Sequence, residues 1–479
     1  MLLERDLVEA GFVEAEDMKA ALERQRAMGE PLTQSLLMSN AISYAALDNA
    51  LGYDIPTLQS AKDTGIDPVF LMNLMLKIML VLGLETLTQI EDAIKLPYKV
   101  VEELMTMARD RALVESLGTG ERSLIADVRY GLSKAGTDTV TGLLRQSEYA
   151  GPAPVTLEAF ESQVARQGIE NEHVSRERLD QCLAHLVVED GMIDQFGPGI
   201  NSGQSILVYG PVGNGKTSMA LALANAFENY VYIPHSLVVD GQIISVFDPT
   251  VHEEMQITEE LPEQAQGQKR IFKSAEDRRW VRCKRPTVIS GGELTMEMLD
   301  LKFDAQLRIS EAPLQLKAVS GIFIIDDFGR QAVRPEDIMN RWIYPLERRA
   351  DFLTLPTGKK FSVPFDCLFM ISTNIPPKEL VDAAMLRRIP YKFYVGAPTL
   401  DELESIFESV SRTHGIPYDS QWVDLLIQEY YTKYDVPFAR FHVNYLFDQM
   451  AARCKYLNIP FEITRESLLD AAQHMIVKE

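Results

Sequence analysis

The sequence has little cysteine, little positive charge and no apolar run long enough to cross a bilayer. Its four cysteines, Cys182, Cys283, Cys367 and Cys454, lie far apart and never in C-x-x-C spacing. That excludes a disulfide framework and a zinc ribbon, and it fits a reducing compartment. Forty-seven Lys and Arg stand against 69 Asp and Glu, a net charge of −22. The deficit is steepest in residues 1–200, with 17 basic and 32 acidic side chains. Bulk electrostatic attraction to nucleic acid is therefore not expected. The most apolar stretch, PVFLMNLMLKIMLVLGL at 68–84, contains Asn73 and Lys77. It falls short of the roughly 18 residues a membrane helix needs, so it predicts a buried core helix and no membrane association. The opening MLLERDLVEAG places acids where a secretory leader carries bases, and a cytoplasmic protein is expected. What the sequence does have is material for cores. Hydrophobic residues make up 46% of 479 positions, a length that suggests two to four domains.

Residues 1–54 contain a repeat at a 29-residue offset. Leu3, Leu7, Gly11, Met18, Leu22 and Gln25 recur as Leu32, Leu36, Asn40, Leu47, Leu51 and Asp54. Spacings of four fit a helix face, so the repeat predicts two amphipathic helical hairpins sharing one core. It also resembles the tandem motif in the N-terminal domain of type II secretion and type IV pilus ATPases. That resemblance implies cyclic di-GMP as a candidate ligand. The Arg and Gly that the family prefers are replaced here by Leu2 and Glu4 in the first copy and by Pro31 and Thr33 in the second. Residues 67–150 read as a winged helix. A first helix spans Asp67–Gly83, and Thr88-Gln-Ile-Glu91 reads as a capping box opening a second. A third runs through VVEELMTMARDRALVE, and strands near Leu113 and Leu124–Leu132 form the wing. The third helix carries Lys99, Arg109 and Arg111 against Glu102, Glu103, Asp110 and Glu115. Without a basic stripe it suits protein contact or spacing better than DNA reading. Tyr149-Ala-Gly-Pro-Ala-Pro154 reads as a boundary loop, followed by helices at 156–166 and 174–188.

The chemistry begins at Ser205-Ile-Leu-Val-Tyr209, a run of strand formers. It leads straight into Gly210-Pro211-Val212-Gly213-Asn214-Gly215-Lys216-Thr217, then Ser218 and a helical pattern. This is the full G-x-x-x-x-G-K-[ST] loop in its strand–loop–helix setting. Its glycines permit a nest of inward N–H groups for phosphate oxygens, and the helix N-terminus adds partial positive charge. Lys216 is expected on the β and γ phosphates and Thr217 on Mg²⁺. Ile322-Phe-Ile-Ile-Asp-Asp327 is a second strand ending in carboxylates. Asp326 is expected to bind Mg²⁺ and Asp327 to orient the attacking water. A third strand, Cys367-Leu-Phe-Met-Ile-Ser-Thr-Asn374, brings Asn374 to the same edge of a parallel sheet. Asp382-Ala-Ala-Met-Leu-Arg-Arg388 follows; its arginines read either as a solvated pair or as a finger reaching a neighbouring subunit.

The order of P-loop, Asp-Asp, Asn and Arg-Arg over residues 190–479 resembles the AAA+ ATPase family. The resemblance implies that Asn374 is sensor 1 and Arg388 the arginine finger, with Arg387 next. It also implies that the helical patterns after 396 form a lid whose Arg440 is sensor 2. Plain reading leaves Arg440 equally a surface arginine. Two features exceed a minimal core. Between Lys216 and Asp326 lie an apolar Asp240-Gly241 hairpin and the run Lys269–Arg285, with eight basic and two acidic residues. That run reads as a solvated face or a partner for an acidic segment, or else as a pore lining for an acidic polypeptide or nucleic acid. Before Asn374, strands at 351–355 and 360–364 predict a hairpin. This resembles the pre-sensor-1 branch with its MoxR-like chaperones, and a bacterial group described as predicted ATPases with chaperone activity. The expected architecture is α/β: a helical repeat domain at 1–54, a winged helix at 67–150, a P-loop core at 151–395 and a helical lid at 396–479. The expected activity is Mg²⁺-dependent ATP hydrolysis by a homo-oligomeric ring, a hexamer by resemblance, that remodels an unknown protein partner. The alternatives are a nucleic-acid machine such as a helicase loader or DNA-bound regulator, and a nucleotide-gated scaffold.

Overall fold

The computed structural model describes residues 7–8, 10–28, 31–39, 41–42, 44–53, 55–119, 128–255 and 277–475. Leu2, Glu4, Asn40, Asp54 and the basic stretch 269–276 lie outside them.

The repeat region forms helices α1 (Ala15–Met28), α2 (Leu32–Met38) and α3 (Tyr44–Leu51). Its leucines do not close a separate core. Leu36, Leu47 and Tyr53 belong to one packed cluster with Tyr230, Val231 and Val281, far along the chain. The next unit is α4 (Pro68–Leu82), α5 (Leu87–Ile94), α6 (Tyr98–Asp110) and the antiparallel strands β1 (Val114–Thr119) and β2 (Val128–Leu132), followed by α7 (Lys134–Leu144). The apolar run at 68–84 is the buried helix expected: Leu71, Met72, Leu74, Met75, Leu76 and Ile78 are all at 2% exposure or less. No helix among the described residues is long and apolar enough to cross a membrane. The capping box sits two residues earlier than expected. Thr86 accepts from the Gln89 amide, while the Gln89 side chain caps Thr86. Glu91 is buried inside α5 instead, because the helix turns that position inward. Nor does the third helix reach Glu115. It ends at Asp110, and Ala112 takes a left-handed φ of 54° before β1.

The expected boundary loop is packed into the molecule. The Tyr149 hydroxyl lies 2.7 Å from the Pro152 carbonyl and 3.0 Å from Ser236 Oγ. Val155–Thr156 then forms β3, and α8 (Leu157–Arg166), α9 (Arg176–Leu183) and α10 (Asp190–Asn201) follow. The helix expected over 174–188 ends at Leu183, and residues 184–189 are turn and loop before α10 begins. The chain then enters β4 (Ile206–Tyr209), α11 (Lys216–Ala224), β5 (Tyr230–Pro234), β6 (Ser236–Val239), β7 (Gln242–Ser245), β8 (Trp280–Lys284) and β9 (Thr287–Ser290). After these come β10 (Lys302–Asp304), β11 (Ile309–Glu311), β12 (Gly321–Ile325), α12 (Pro335–Arg348), β13 (Ala350–Thr354), β14 (Lys360–Pro364), β15 (Cys367–Thr373) and β16 (Tyr391–Tyr394).

Two five-stranded sheets result. The central one is parallel, in the order β16-β4-β15-β12-β9. Alternation along its strands separates two cores. Ile206, Val208, Ile322 and Ile324 face α9–α11, whereas Leu207, Phe323 and Ile325 face Trp342 of α12. The second sheet, β10-β11-β7-β6-β3, gathers the Asp240-Gly241 hairpin and three strands from elsewhere in the chain. The turn has φ of 54° and 74°, as a two-residue hairpin requires. The hairpin expected before Asn374 is β13–β14, paired from Ala350↔Pro364 to Thr354↔Lys360. The helical end of the chain holds α13 (Leu400–Thr413), α14 (Gln421–Leu426) with its π-helical continuation Ile427–Tyr431, α15 (Phe441–Leu457) and α16 (Arg465–Gln473).

The described part of the basic run is consumed inside the molecule. Arg279 pairs with buried Asp277, Arg282 with Asp48 at 3.1 Å, Arg278 with Asp92 at 3.1 Å, and Arg285 with Glu172. Arg285 and Glu172 are 2% and 3% exposed at their side chains. Of the readings weighed for this run, pairing with acidic side chains is the one these arginines meet: Arg279, Arg282 and Arg285 are buried and Arg278 is half-buried, and they are not free for a pore. Removing one partner of such a pair strands a buried charge and costs about 3–5 kcal/mol. Glu172→Ala should therefore lower the chemical denaturation midpoint markedly, whereas Glu408→Ala, in an exposed i,i+4 pair with Arg412, should change it little.

Candidate nucleotide-binding site

The central sheet fixes where chemistry can happen. From β4 the chain runs to β9 at one edge, returns through β12 and β15, and places β16 on the other side of β4. Connections diverge at β4, so a crevice opens beyond its C-terminal end. Residues 210–215 occupy that crevice and lead into the N-terminus of α11. Gly210 has φ +148°, and a Cβ there would lie 2.1 Å from the Val395 carbonyl just after β16. Gly213 has φ +80°, and its Cβ would meet the Phe441 ring at 2.2 Å. The loop thus needs glycine at both positions for close backbone approach as much as for torsion. The Phe441 amide also donates to the Gly213 carbonyl at 3.0 Å, so the start of α15 rests directly on the loop.

Lys216 is 7% exposed, and its ammonium donates to the Pro211 carbonyl at 2.9 Å. Burial pushes its pKa down, while Asp327 and Asp326 pull it back up. The Thr217 hydroxyl donates to the Asp326 carboxylate, 2.9 Å from each oxygen, and Ser372 also donates to Asp326. A hydroxyl and a carboxylate brought together beside a phosphate loop are the hard oxygen ligands that Mg²⁺ takes, one or two from the protein and the rest from phosphate and water. Asp327 follows at φ 47°, a left-handed conformation uncommon outside glycine. The turn is braced by Gln331. Its amide nitrogen donates to the carbonyls of Gly291 at 3.2 Å and Asp326 at 3.1 Å, and its oxygen accepts from the Gly329 amide at 2.8 Å.

Residues 212–219, Asp327, Asn374 and Arg440 line one cleft of about 510 Å³, closed on the apolar side by Val187, Ile406 and Val410. The structure therefore brings together the loop, the second strand's carboxylates, Asn374 and the lid. Arg440 does not point as a free cation. It pairs with Glu402 at 2.9 Å and bonds to the Val187 carbonyl, while its amide donates to Asn214 Oδ1 at 3.2 Å. Arg387 and Arg388 stand outside the cleft. Arg388 is tied to Glu347 at 2.7 Å and to the Ala384 carbonyl at 2.6 Å, whereas Arg387 is exposed. Ser372, Gln331 and Val187 were not singled out by the sequence. Ser372 lies two residues before Asn374 on the third strand, a signal that could have found it; the roles of Gln331 and Val187 depend on distant chain.

A family model described as a domain of unknown function, DUF8689, matches residues 399–474, the helical end of the chain. No curated protein matches the chain. Among solved structures, a RuvB point mutant from Thermotoga maritima is similar at 10% identity and a TM-score of 0.32, covering 64% of this chain and 72% of that one. NtrX from Brucella abortus is similar at 12% identity and a TM-score of 0.35, covering 79% and 63%. Its complex with ADP stands at 14% and 0.29, covering 59% and 53%. This chain spans less than two thirds of either NtrX chain.

If Gln331 holds the Asp327 turn, Gln331→Ala should reduce nucleotide turnover about tenfold or more and leave nucleotide affinity within about twofold. Steady-state phosphate release and equilibrium titration of nucleotide, run side by side, measure the two.

Proposed function

We propose that this chain is a Mg²⁺-dependent AAA+ ATPase that works as a ring and remodels a protein partner. One observation carries the reading: Lys216, Thr217 hydrogen-bonded to Asp326, Asp327 and Asn374 all converge on the crevice at the end of the central sheet. In this reading the amides of residues 210–217 and Lys216 bind the phosphates. Thr217 and Asp326 would hold Mg²⁺, which supplies charge neutralisation on the β and γ phosphates. Asp327 accepts a hydrogen bond from the attacking water and orients it in line. Asn374 positions that water or the γ-phosphate oxygen. Val187, Ile406 and Val410 offer an apolar slot for the base, and the contact of Phe441 with Gly213 makes the lid angle sensitive to the state of the loop.

Arg388 needs a change of partner to act on a neighbouring subunit, because Glu347 and Ala384 hold it within its own chain. The exposed Arg387 needs none. Support for a protein partner comes from the hairpin β13–β14, which exposes Phe352 beside Tyr344 with ring centroids 5.0 Å apart. Paired surface aromatics of this kind are common in protein contacts. The helical repeat would then act as a regulatory arm. Its Asp48 is gripped by Tyr230 at 2.5 Å and Tyr232 at 2.7 Å, on the strand that follows α11. The nucleic-acid alternative loses support from the internal pairing of Arg278, Arg279, Arg282 and Arg285. The scaffold alternative differs only in turnover.

Lys216→Ala should lower ATP affinity by a hundredfold or more, read by calorimetry with Mg²⁺. Arg387→Ala and Arg388→Ala should each bind ATP normally, and the one that is the finger should lose turnover only in the assembled state. Mixing either variant with a Lys216→Ala subunit separates trans from cis action. Normal turnover by both arginine variants, or no phosphate release by the unaltered chain, would sink the reading.

A further inference from the structure

A second cleft, of about 380 Å³, lies between α4, the end of α7, and the hairpins β6–β7 and β10–β11. Its walls have an unusual charge. Four other clefts of this chain, the nucleotide cleft included, each have Asp or Glu in their walls. This one has Lys77 and Arg308 and no acid, in a chain whose net charge is −22.

Lys77 is the residue that interrupts the apolar run of α4. It is 7% exposed. Its ammonium donates to the Ser147 carbonyl at 3.0 Å, and no carboxylate of the described residues pairs with it. An ammonium offers three donors, so two remain for a ligand. Burial alone lowers its pKa to about 8, which marks a charge that the fold removes from water without supplying an anion. Arg308 stands at the other wall, exposed and without an ion pair to any described residue, held at φ 52° by the turn between β10 and β11. Asn73 and Gln146 add neutral hydrogen-bonding groups. Phe70 and Phe303, the latter 47% exposed, add apolar surface.

We propose that this cleft binds a small anionic metabolite, its phosphate or carboxylate group held by Lys77 and Arg308 and its apolar part lying against Phe70 and Phe303. Apolar walls with a few convergent polar groups and a buried cation are the usual make-up of a ligand site. The ligand would sit where two units meet. One wall belongs to α4 and α7, the other to the second sheet, and the Glu148 amide already donates across to the Leu307 carbonyl at 2.9 Å. An anion bound there would fasten the α4–α7 unit to the sheet, independently of whether the nucleotide cleft hydrolyses ATP.

The test uses the full chain carrying Lys216→Ala, so that the phosphate loop does not report. Inorganic phosphate and succinate are titrated against chloride at equal ionic strength, and the thermal midpoint is followed. One of the two anions should raise the midpoint, and the half-saturating concentration should rise about tenfold in Arg308→Gln. In Lys77→Met the rise should vanish, while the anion-free midpoint stays level or increases because a buried charge has been replaced by an apolar side chain of similar length. A response to phosphate alone assigns a phosphorylated ligand, and one to succinate alone a carboxylate. If neither anion exceeds chloride, or if the rise is the same in Arg308→Gln, a surface variant that should fold normally, the site is refuted.

Discussion

The backbone of residues 210–217 is held from two sides at less than side-chain distance. Below it the chain end of β16 brings the Val395 carbonyl to Gly210; above it the start of α15 lays Phe441 on Gly213. No residue with a Cβ fits either place without displacing backbone or ring. The loop is therefore a joint as well as a cradle. Its shape is set jointly by the central sheet and by the helical lid, and a change in one must be felt by the other. This is the physical basis on which a phosphate-dependent change of loop conformation would become a movement of residues 399–475.

The opposite end of α11 makes a second connection. The chain leaves that helix at 225–229, where Thr33 and Gln25 of the helical repeat bond to Glu228. Asp48 of the same repeat meets Tyr230, Tyr232 and Arg282 on the next strands. The N-terminal helices are thus attached to the element whose N-terminus carries Lys216 and Thr217. Contacts alone do not make a coupling, but a short, stiff helix with one end in the phosphate loop and the other in this network gives the two regions a shared part.

The acidic composition also acquires a structural meaning. Some of the positive charge is placed inside: Arg279, Arg282, Arg285 and Lys317 are all below 10% exposure and each faces a carboxylate. The interior thus commits these bases to specific carboxylates in neutral pairs, and the net negative charge of the composition is left to the surface. Lys77 stands apart from this pattern because no carboxylate among the described residues pairs with it.

The site was legible wherever its residues are contiguous. The P-loop reads directly because nest geometry needs glycines and a lysine at fixed spacing, and the carboxylates at 326–327 read because four apolar residues announce a buried strand. The lid helices read because their apolar period is local. The rest depends on partners distant in the chain. Gly197, Pro198 and Gly199 lie within α10, where Gly199 lets the Phe393 ring of β16, almost two hundred positions on, approach. The second sheet assembles strands from 155 to 311, and no local pattern states which edge meets which. The basic run Lys269–Arg285 read as a solvated face or a partner for an acidic segment; only the fold supplied Asp48 and Glu172 for Arg282 and Arg285. Sequence by itself determined which residues make up the candidate phosphate site and the type of most elements, because these follow from residue geometry and short-range periodicity. Tertiary structure alone decided which arginines are free, which turn is braced by Gln331 and where an unpaired lysine faces a cleft, because burial and charge pairing are set by residues that meet only when the chain has closed.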